Sequence, residues 1–298
     1  MKVKAFIILG AMGLLFSCTS SERRSDGDEG GDGQSSEVKK EESADKDDEE
    51  DEVEGDEGSE EIKAEAGVPE GAAILMKCYP SFVKGYKDGK LLLSDGSEMV
   101  YDDQREKSFE EKLDDADPED MFAFVYNLKS PTPEYLQDAG RSRCEQLFKK
   151  MYGASSDEVK KYLVNVDWFG QTVQFTKVNG ADEHLKAVEA ELKQHPEFNK
   201  YFRSEGTFYW RPVRGAKRLS AHSYGMTIDI GGDFKTYWLW ANPDAGETTR
   251  NIKYQNKMPM EIVKIFEKHG FIWGGRWYHY DTMHFEYRPE ILMGCSKK

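Results

Sequence analysis

Apolar positions along the 298-residue chain fall into three regimes. Residues 5–16 are almost wholly apolar behind Lys2 and Lys4, whereas 22–66 hold only Val38, Val53 and Ile62 as branched apolar side chains. Beyond 67 the apolar positions return with regular periods. "KLLLSDGSEMVYDD" (90–103) predicts two short strands around the turn pair Asp95–Gly96. In "TPEYLQDAGRSRCEQLFKKMYG" (132–153) the spacing of Leu136, Ala139, Leu147, Phe148 and Met151 predicts one helix. Thr132 is its N-cap, Pro133 its first residue and Gly153 its stop. A shorter helix is predicted near 157–164, and "TVQFTKVNG" alternates like a strand. "ADEHLKAVEAELKQHP" predicts a helix capped by Asp182 and stopped before Pro196, and "PMEIVKIFEKHG" (259–270) predicts another.

Two further stretches alternate and carry polar chemistry. In "YGMTIDI", Met226, Ile228 and Ile230 alternate with Thr227 and Asp229; in "MHFEY", Met283, Phe285 and Tyr287 alternate with His284 and Glu286. A period of two puts the apolar side chains on one face and the polar ones on the other. Two such strands pair naturally, burying one face and presenting Asp229 and His284 on the opposite one. The expected class is α+β, an antiparallel sheet with flanking helices. Residues 151–298 read as one domain, 67–150 as an N-terminal subdomain of unknown role, and there is no internal repeat.

His222, Asp229 and His284 offer two imidazole nitrogens and a carboxylate, a donor set suited to zinc with one position left open. Asp281, three residues before His284, is expected in an irregular approach to the strand, where it would act as general base without being a ligand. Gly225 allows a sharp turn between His222 and the first strand. The pattern Ser220-x-His222-x-x-Gly225-x-x-x-Asp229, followed by Asp281-x-x-His284, resembles the zinc D-alanyl-D-alanine carboxypeptidases and related peptidoglycan endopeptidases. These are the VanY-like enzymes of the hedgehog/DD-peptidase fold. Thr227 stands where that family usually has alanine, while "WGGRW" and "HFE" match the branch that uses aspartate at the position of Asp281. The resemblance covers about 180–290. It implies that fold, one Zn²⁺ ion on His222, Asp229 and His284, and peptidoglycan peptides as substrate. It also implies an arginine that offsets charge on the substrate. Arg211, after Gly206-x-Phe208-x-Trp210, matches best, with Arg214 and Arg218 as alternatives. Ser220, Trp273 and Trp277 are candidate substrate contacts, and Glu286 a candidate for orienting a ligand from behind. His279, between tyrosines, is a helper of the site, a rival ligand, or a packing or surface residue. The other class of reading is a catalytically silent wall-binding protein that keeps the fold.

Charge changes the picture only outside the folded part. The net charge of −15 arises entirely in 22–66, where 21 acidic residues face 6 basic ones; from 67 onward 35 acids face 33 bases. A segment so charged and so poor in apolar residues cannot bury enough surface to fold and reads as an extended tether over 18–66. No nucleic-acid partner is expected. The apolar run ahead of it is short for a membrane span and reads as a signal peptide, 1–17. Leu15-Phe16-Ser17-Cys18 resembles a bacterial lipobox, with Phe16 bulkier than usual; the other reading is an ordinary signal cleaved near Ser20 or Ser21. The lipobox implies a lipid on Cys18 and anchorage in the cell envelope, at the outer membrane if the source has one, because Thr19 and not aspartate follows. Cys78, Cys144 and Cys295 allow at most one internal disulfide, and Cys144 is expected to be buried.

Overall fold

Asp95 and Gly96 (φ +80°) turn the chain where the sequence asks for it. In the computed structural model, which describes residues 67–130 and 132–295, helix α1 (Glu70–Cys78) leads into an antiparallel meander of β1 (Val83–Lys87), β2 (Lys90–Leu93) and β3 (Glu98–Val100). Helix α2 (Phe109–Asp114) follows, started by a capping box in which Ser108 and Glu111 satisfy each other's backbone N–H. The leader, Cys18 and the acidic segment lie outside the described residues.

The helix expected over 132–153 forms only in its second half, as α3 (Glu145–Tyr152). Leu136 (φ +57°) and Gly140 (φ +98°) take left-handed conformations that no α-helix accommodates. The Asp138 carboxylate between them is drawn away to His279 and Arg141. Helix α4 (Ser156–Lys160) is likewise shorter than expected, because Val164, Val166 and Trp168 belong to a strand, β4 (Leu163–Trp168). A tight turn at Phe169 and Gly170 pairs β4 with β5 (Gln171–Thr176). Helix α5 (Ala181–Leu192) starts after a left-handed Gly180, with Asp182 in its first turn and not at the cap.

The sheet that matters for function has four antiparallel strands in the order β6 (Ser204–Gly206), β7 (Thr227–Ile230), β9 (His284–Tyr287), β8 (Phe271–Trp273). Helices α6 (Trp238–Ala241) and α7 (Met260–Lys268) lie in the connection between β7 and β8, and α8 (Pro289–Cys295) follows β9. The expected pairing of the two alternating strands is present, with Thr227 opposite Glu286, Ile228 opposite Phe285 and Asp229 opposite His284. Met226, Ile228, Ile230 and Phe285 are fully buried on one side, against Phe266 of α7 and Phe271 of β8. The Phe266 and Phe285 rings stack 3.9 Å apart. Each such side chain contributes roughly 1.5–3 kcal/mol by leaving water, which fixes the register: slipping one residue would exchange His284 for Phe285 on the core face. The same core takes in Leu75 of α1, Tyr79 just after it, and Leu147, Phe148 and Tyr152 of α3. The boundary drawn at 150 therefore falls inside a helix whose apolar face is shared. The mixture of helices and antiparallel sheets is α+β, as the sequence predicts. Among the described residues no helix is long and apolar enough to cross a membrane.

Candidate metal centre

His222, Asp229 and His284 converge. His222 lies in a 3-10 turn (Ala221–Tyr224) that Gly225 closes with φ +67°. A Cβ on Gly225 would sit 2.5 Å from a Leu163 methyl, so both the turn and the close approach of β4 require glycine. His222 Nε2 is 3.2 Å from Asp229 Oδ2, and His284 Nδ1 is 3.1 Å from Asp229 Oδ1. The three residues offer ligand atoms all within 4.8 Å of one another.

The ring nitrogens that face away are both held by acceptors. His222 Nδ1 donates to the Thr207 carbonyl at 2.6 Å, and His284 Nε2 donates to Glu286 at 3.1 Å. Those bonds fix the tautomers so that the inward nitrogens carry lone pairs, the arrangement found behind metal-binding histidines. Two lone pairs and a carboxylate cannot face each other at about 3 Å without a cation between them, so the donor set fits a metal ion or else takes up protons. The electrostatics agree. Burial would lower the basicity of His284, but Asp229 and Glu286 outweigh it and lift the imidazole to about 10. Burial would raise Asp229, but His222 and His284 hold it well below the usual carboxylate range. Burial would likewise raise Glu286; Arg143, His284 and Arg288 hold it down to about 2, as an anion at neutral pH.

Asp281 sits beside this centre in the irregular approach that its spacing predicts. Its N–H donates to the Gly274 carbonyl at 3.0 Å, and a Cβ on Gly274 would lie 2.6 Å from the Asp281 carbonyl. The glycine pair of "WGGRW" therefore lets this loop close on itself. Asp281 Oδ1 is buried and has no hydrogen-bond partner. Burial, then the neighbouring Asp229 carboxylate, push the Asp281 carboxyl up to about 7. A carboxylate with that basicity accepts and returns a proton near neutral pH.

Asp281 and the three convergent residues line one cleft of about 410 Å³. Ser220, Arg211, Arg214 and Arg218 reach it as well. Arg211 is exposed, and its loop is pinned by Ser223, whose hydroxyl accepts from the Arg211 N–H at 3.0 Å and donates to its carbonyl at 2.9 Å. Arg218 is instead tied to Asp114. Trp277 is part of the wall, its ring 5.4 Å from that of His284 and its Nε1 donating to the Ala139 carbonyl. Trp273 is not: it is fully buried behind the sheet, stacked on Phe285, with Nε1 donating to the Thr282 carbonyl.

The sequence reading missed the part of the cleft built from outside the two motifs. Arg141 and Arg143 reach it from the loop before α3, and Tyr237, Trp238 and Trp240 from the segment after β7. Gly140 inside an apparent helix was the one local sign that 138–143 does something else. His279 is buried on the cleft wall, with Nδ1 2.5 Å from Asp138 Oδ2 and Nε2 without a partner.

The α+β fold thus brings a His/Asp/His donor set that could hold a metal ion and a carboxylate with one unpartnered oxygen together in one open cleft. Residues 214–287 match a peptidase family model described as D-alanyl-D-alanine carboxypeptidase. The matched span holds His222, Asp229, Asp281 and His284 and ends at the last residue of β9; Arg211, Arg141 and Arg143 lie before it. The match supports a peptidase acting on peptides of the D-alanyl-D-alanine kind. No curated protein and no solved structure matches the chain.

Proposed function

We propose that this chain is a zinc peptidase of the hedgehog/DD-peptidase fold that hydrolyses the stem peptides of peptidoglycan. The observation that carries the reading is the convergence of His222, Asp229 and His284 beside the unpartnered Asp281 Oδ1 in one cleft. Those three residues would hold a zinc ion, which would supply Lewis acidity at the bond to be cut. The protein does the rest. Asp281 takes a proton from the attacking water and returns it to the departing amine. Glu286, itself held by Arg288 at 2.8 Å, keeps His284 turned toward the metal. Arg211 faces the cleft with no carboxylate partner among the described residues and offsets the negative charge that develops on the substrate oxygen. Arg214 adds positive charge to a rim suited to a peptide rich in carboxylates.

The reading extends to the cell. A lipid on Cys18 would fix the protein to a membrane of the envelope, the outer one where the source has two. Residues 18–66, extended by their own charge, would reach about 100 Å or more into the wall at roughly 3.3 Å per residue. Incubating the zinc-loaded protein with purified muropeptides and weighing the products tests the activity. Shortened peptides are expected; intact muropeptides bound without cleavage would favour the silent wall-binding protein.

A further inference from the structure

Asp281 has a neighbour across the cleft wall that neither sequence motif contains. Two backbone hydrogen bonds join the segment after β7 to the approach to β9. The Thr282 N–H donates to the Thr236 carbonyl and the Trp238 N–H to the Tyr280 carbonyl, both at 2.9 Å. Tyr237 and Asp281 form the antiparallel bridge between them. The bonds flank this pair instead of joining it. That is the closer of the two antiparallel pairings, with Cα atoms about 4.5 Å apart and both side chains on one face. Both line the cleft.

The bridge is braced from behind. The Thr236 N–H donates to the Thr282 hydroxyl at 2.8 Å, the two hydroxyls lie 2.9 Å apart, and that of Thr236 donates to the Gln255 carbonyl. Both threonines are buried, so the backbone of Tyr237 is held to that of Asp281. The Tyr237 ring meets Trp238 and Trp240 edge to face, at 6.1 and 6.0 Å. Trp238 is buried and Trp240 is 60 % exposed. Tyr237, half-buried, stands between the wall and the mouth of the cleft.

Its hydroxyl is in use by nothing in the fold. The buried Tyr79 and Tyr126 give their protons to Glu290 and Glu267. Tyr237 gives its proton to no acceptor among the described residues, and its oxygen is not one of the buried atoms that lack a partner. The hydroxyl therefore opens into the cleft. Burial, then the Asp281 carboxylate beside it, raise its acidity constant above the ordinary value, and the Trp238 indole N–H is within reach of its oxygen. At neutral pH it is a phenol with a proton to donate. Packing between the two indoles needs only the ring, which phenylalanine would supply as well.

We propose that Tyr237 is a substrate-binding residue of this cleft, whose hydroxyl donates a hydrogen bond to a carbonyl oxygen of the peptide beside the bond being cut. The inference rests on the peptidase reading and adds a contact that the His/Asp/His centre, Asp281 and Arg211 do not make.

The discriminating variant is Tyr237→Phe in the full, zinc-loaded chain, which removes the oxygen and keeps the ring against Trp238 and Trp240. With muropeptides as substrate, kcat/KM is expected to fall about tenfold. The loss should appear in KM with kcat little changed, because the contact is already made in the bound ground state. Zinc content and melting temperature should match the parent. As a measurement without turnover, muropeptide binding to zinc-loaded Asp281→Asn should weaken by about the same factor when Tyr237→Phe is added. If the parent cleaves muropeptides and Tyr237→Phe stays within twofold of it in KM and in binding, this proposal is overturned while the peptidase reading stands. A loss confined to kcat, or one that comes with lost zinc or a lower melting temperature, overturns it too, since the hydroxyl would then serve the transition state alone or the fold. A zinc-loaded parent that neither binds nor cleaves muropeptides removes the peptidase reading, and this proposal with it.

Discussion

Replacing Asp281 by asparagine should separate activity from stability in opposite directions. The amide cannot take a proton from water, so hydrolysis should fall by about 10²–10⁴-fold, the usual contribution of a positioned general base. The stability effect follows from the raised acidity constant. Asp281 titrates at about 7 in the folded metal-free protein against an ordinary 3.8. Such a group stabilises the fold fully below the lower value and loses that contribution as pH rises through the upper one. Above pH 7 the folded protein must hold a carboxylate whose Oδ1 has no partner. Three pH units at about 1.36 kcal/mol each give an upper bound of about 4 kcal/mol. Relaxation and water entering the open cleft reduce the expected gain from Asp281→Asn to about 1–3 kcal/mol at pH 8, fading to nothing near pH 4. The assay is urea unfolding of chelator-treated parent and variant across that pH range. A variant no more stable than the parent at pH 8, or a difference that grows toward low pH, would refute the reasoning about this carboxylate.

His222→Ala and His284→Ala should each lose stoichiometric zinc by metal analysis, and retention in both would remove the ligand assignment. Because His284 is held protonated up to about 10 in the metal-free protein, zinc should displace a proton and bind more weakly as pH falls; calorimetry in buffers of different ionisation enthalpy reads the released proton directly. Glu286→Gln should weaken zinc about 10–100-fold and lower the melting temperature, because Arg288 at 2.8 Å loses a charged partner in a fully buried place; a variant that matches the parent in both would show that Glu286 does not orient His284. Metabolic lipid labelling of the intact protein and of Cys18→Ala should label only the former, and equal labelling would remove the anchor.

The strands that carry the centre were legible because one face of each must be apolar. Ile228, Ile230 and Phe285 announce a period of two, and the side-chain alternation then dictates where Asp229 and His284 point. Asp281 was legible by the same logic in reverse, since a spacing of three from His284 fits no regular strand. The loop at 132–144 was illegible because its apolar spacing is helical while its conformation is set by a partner distant in sequence: Asp138 finds His279, 141 residues further on. No local pattern encodes that pairing, and with it went Arg141, Arg143 and the cleft wall they build. Strand β4 left a usable sign in the alternation of Val164, Val166 and Trp168, which a helix extended to 164 overran. Trp273 and Trp277 look equivalent in "WGGRW". Only the fold distinguishes the one stacked behind the sheet from the one facing His284.

The most direct measurement is the mass spectrum of muropeptides after incubation with the chelator-treated protein, before and after one equivalent of zinc is restored. The account predicts no change without zinc, and with it shortened stem peptides in which each cut has consumed one water, absent again in Asp281→Asn. Muropeptides that stay intact with zinc stoichiometrically bound, or that are cut equally with zinc absent, would contradict it.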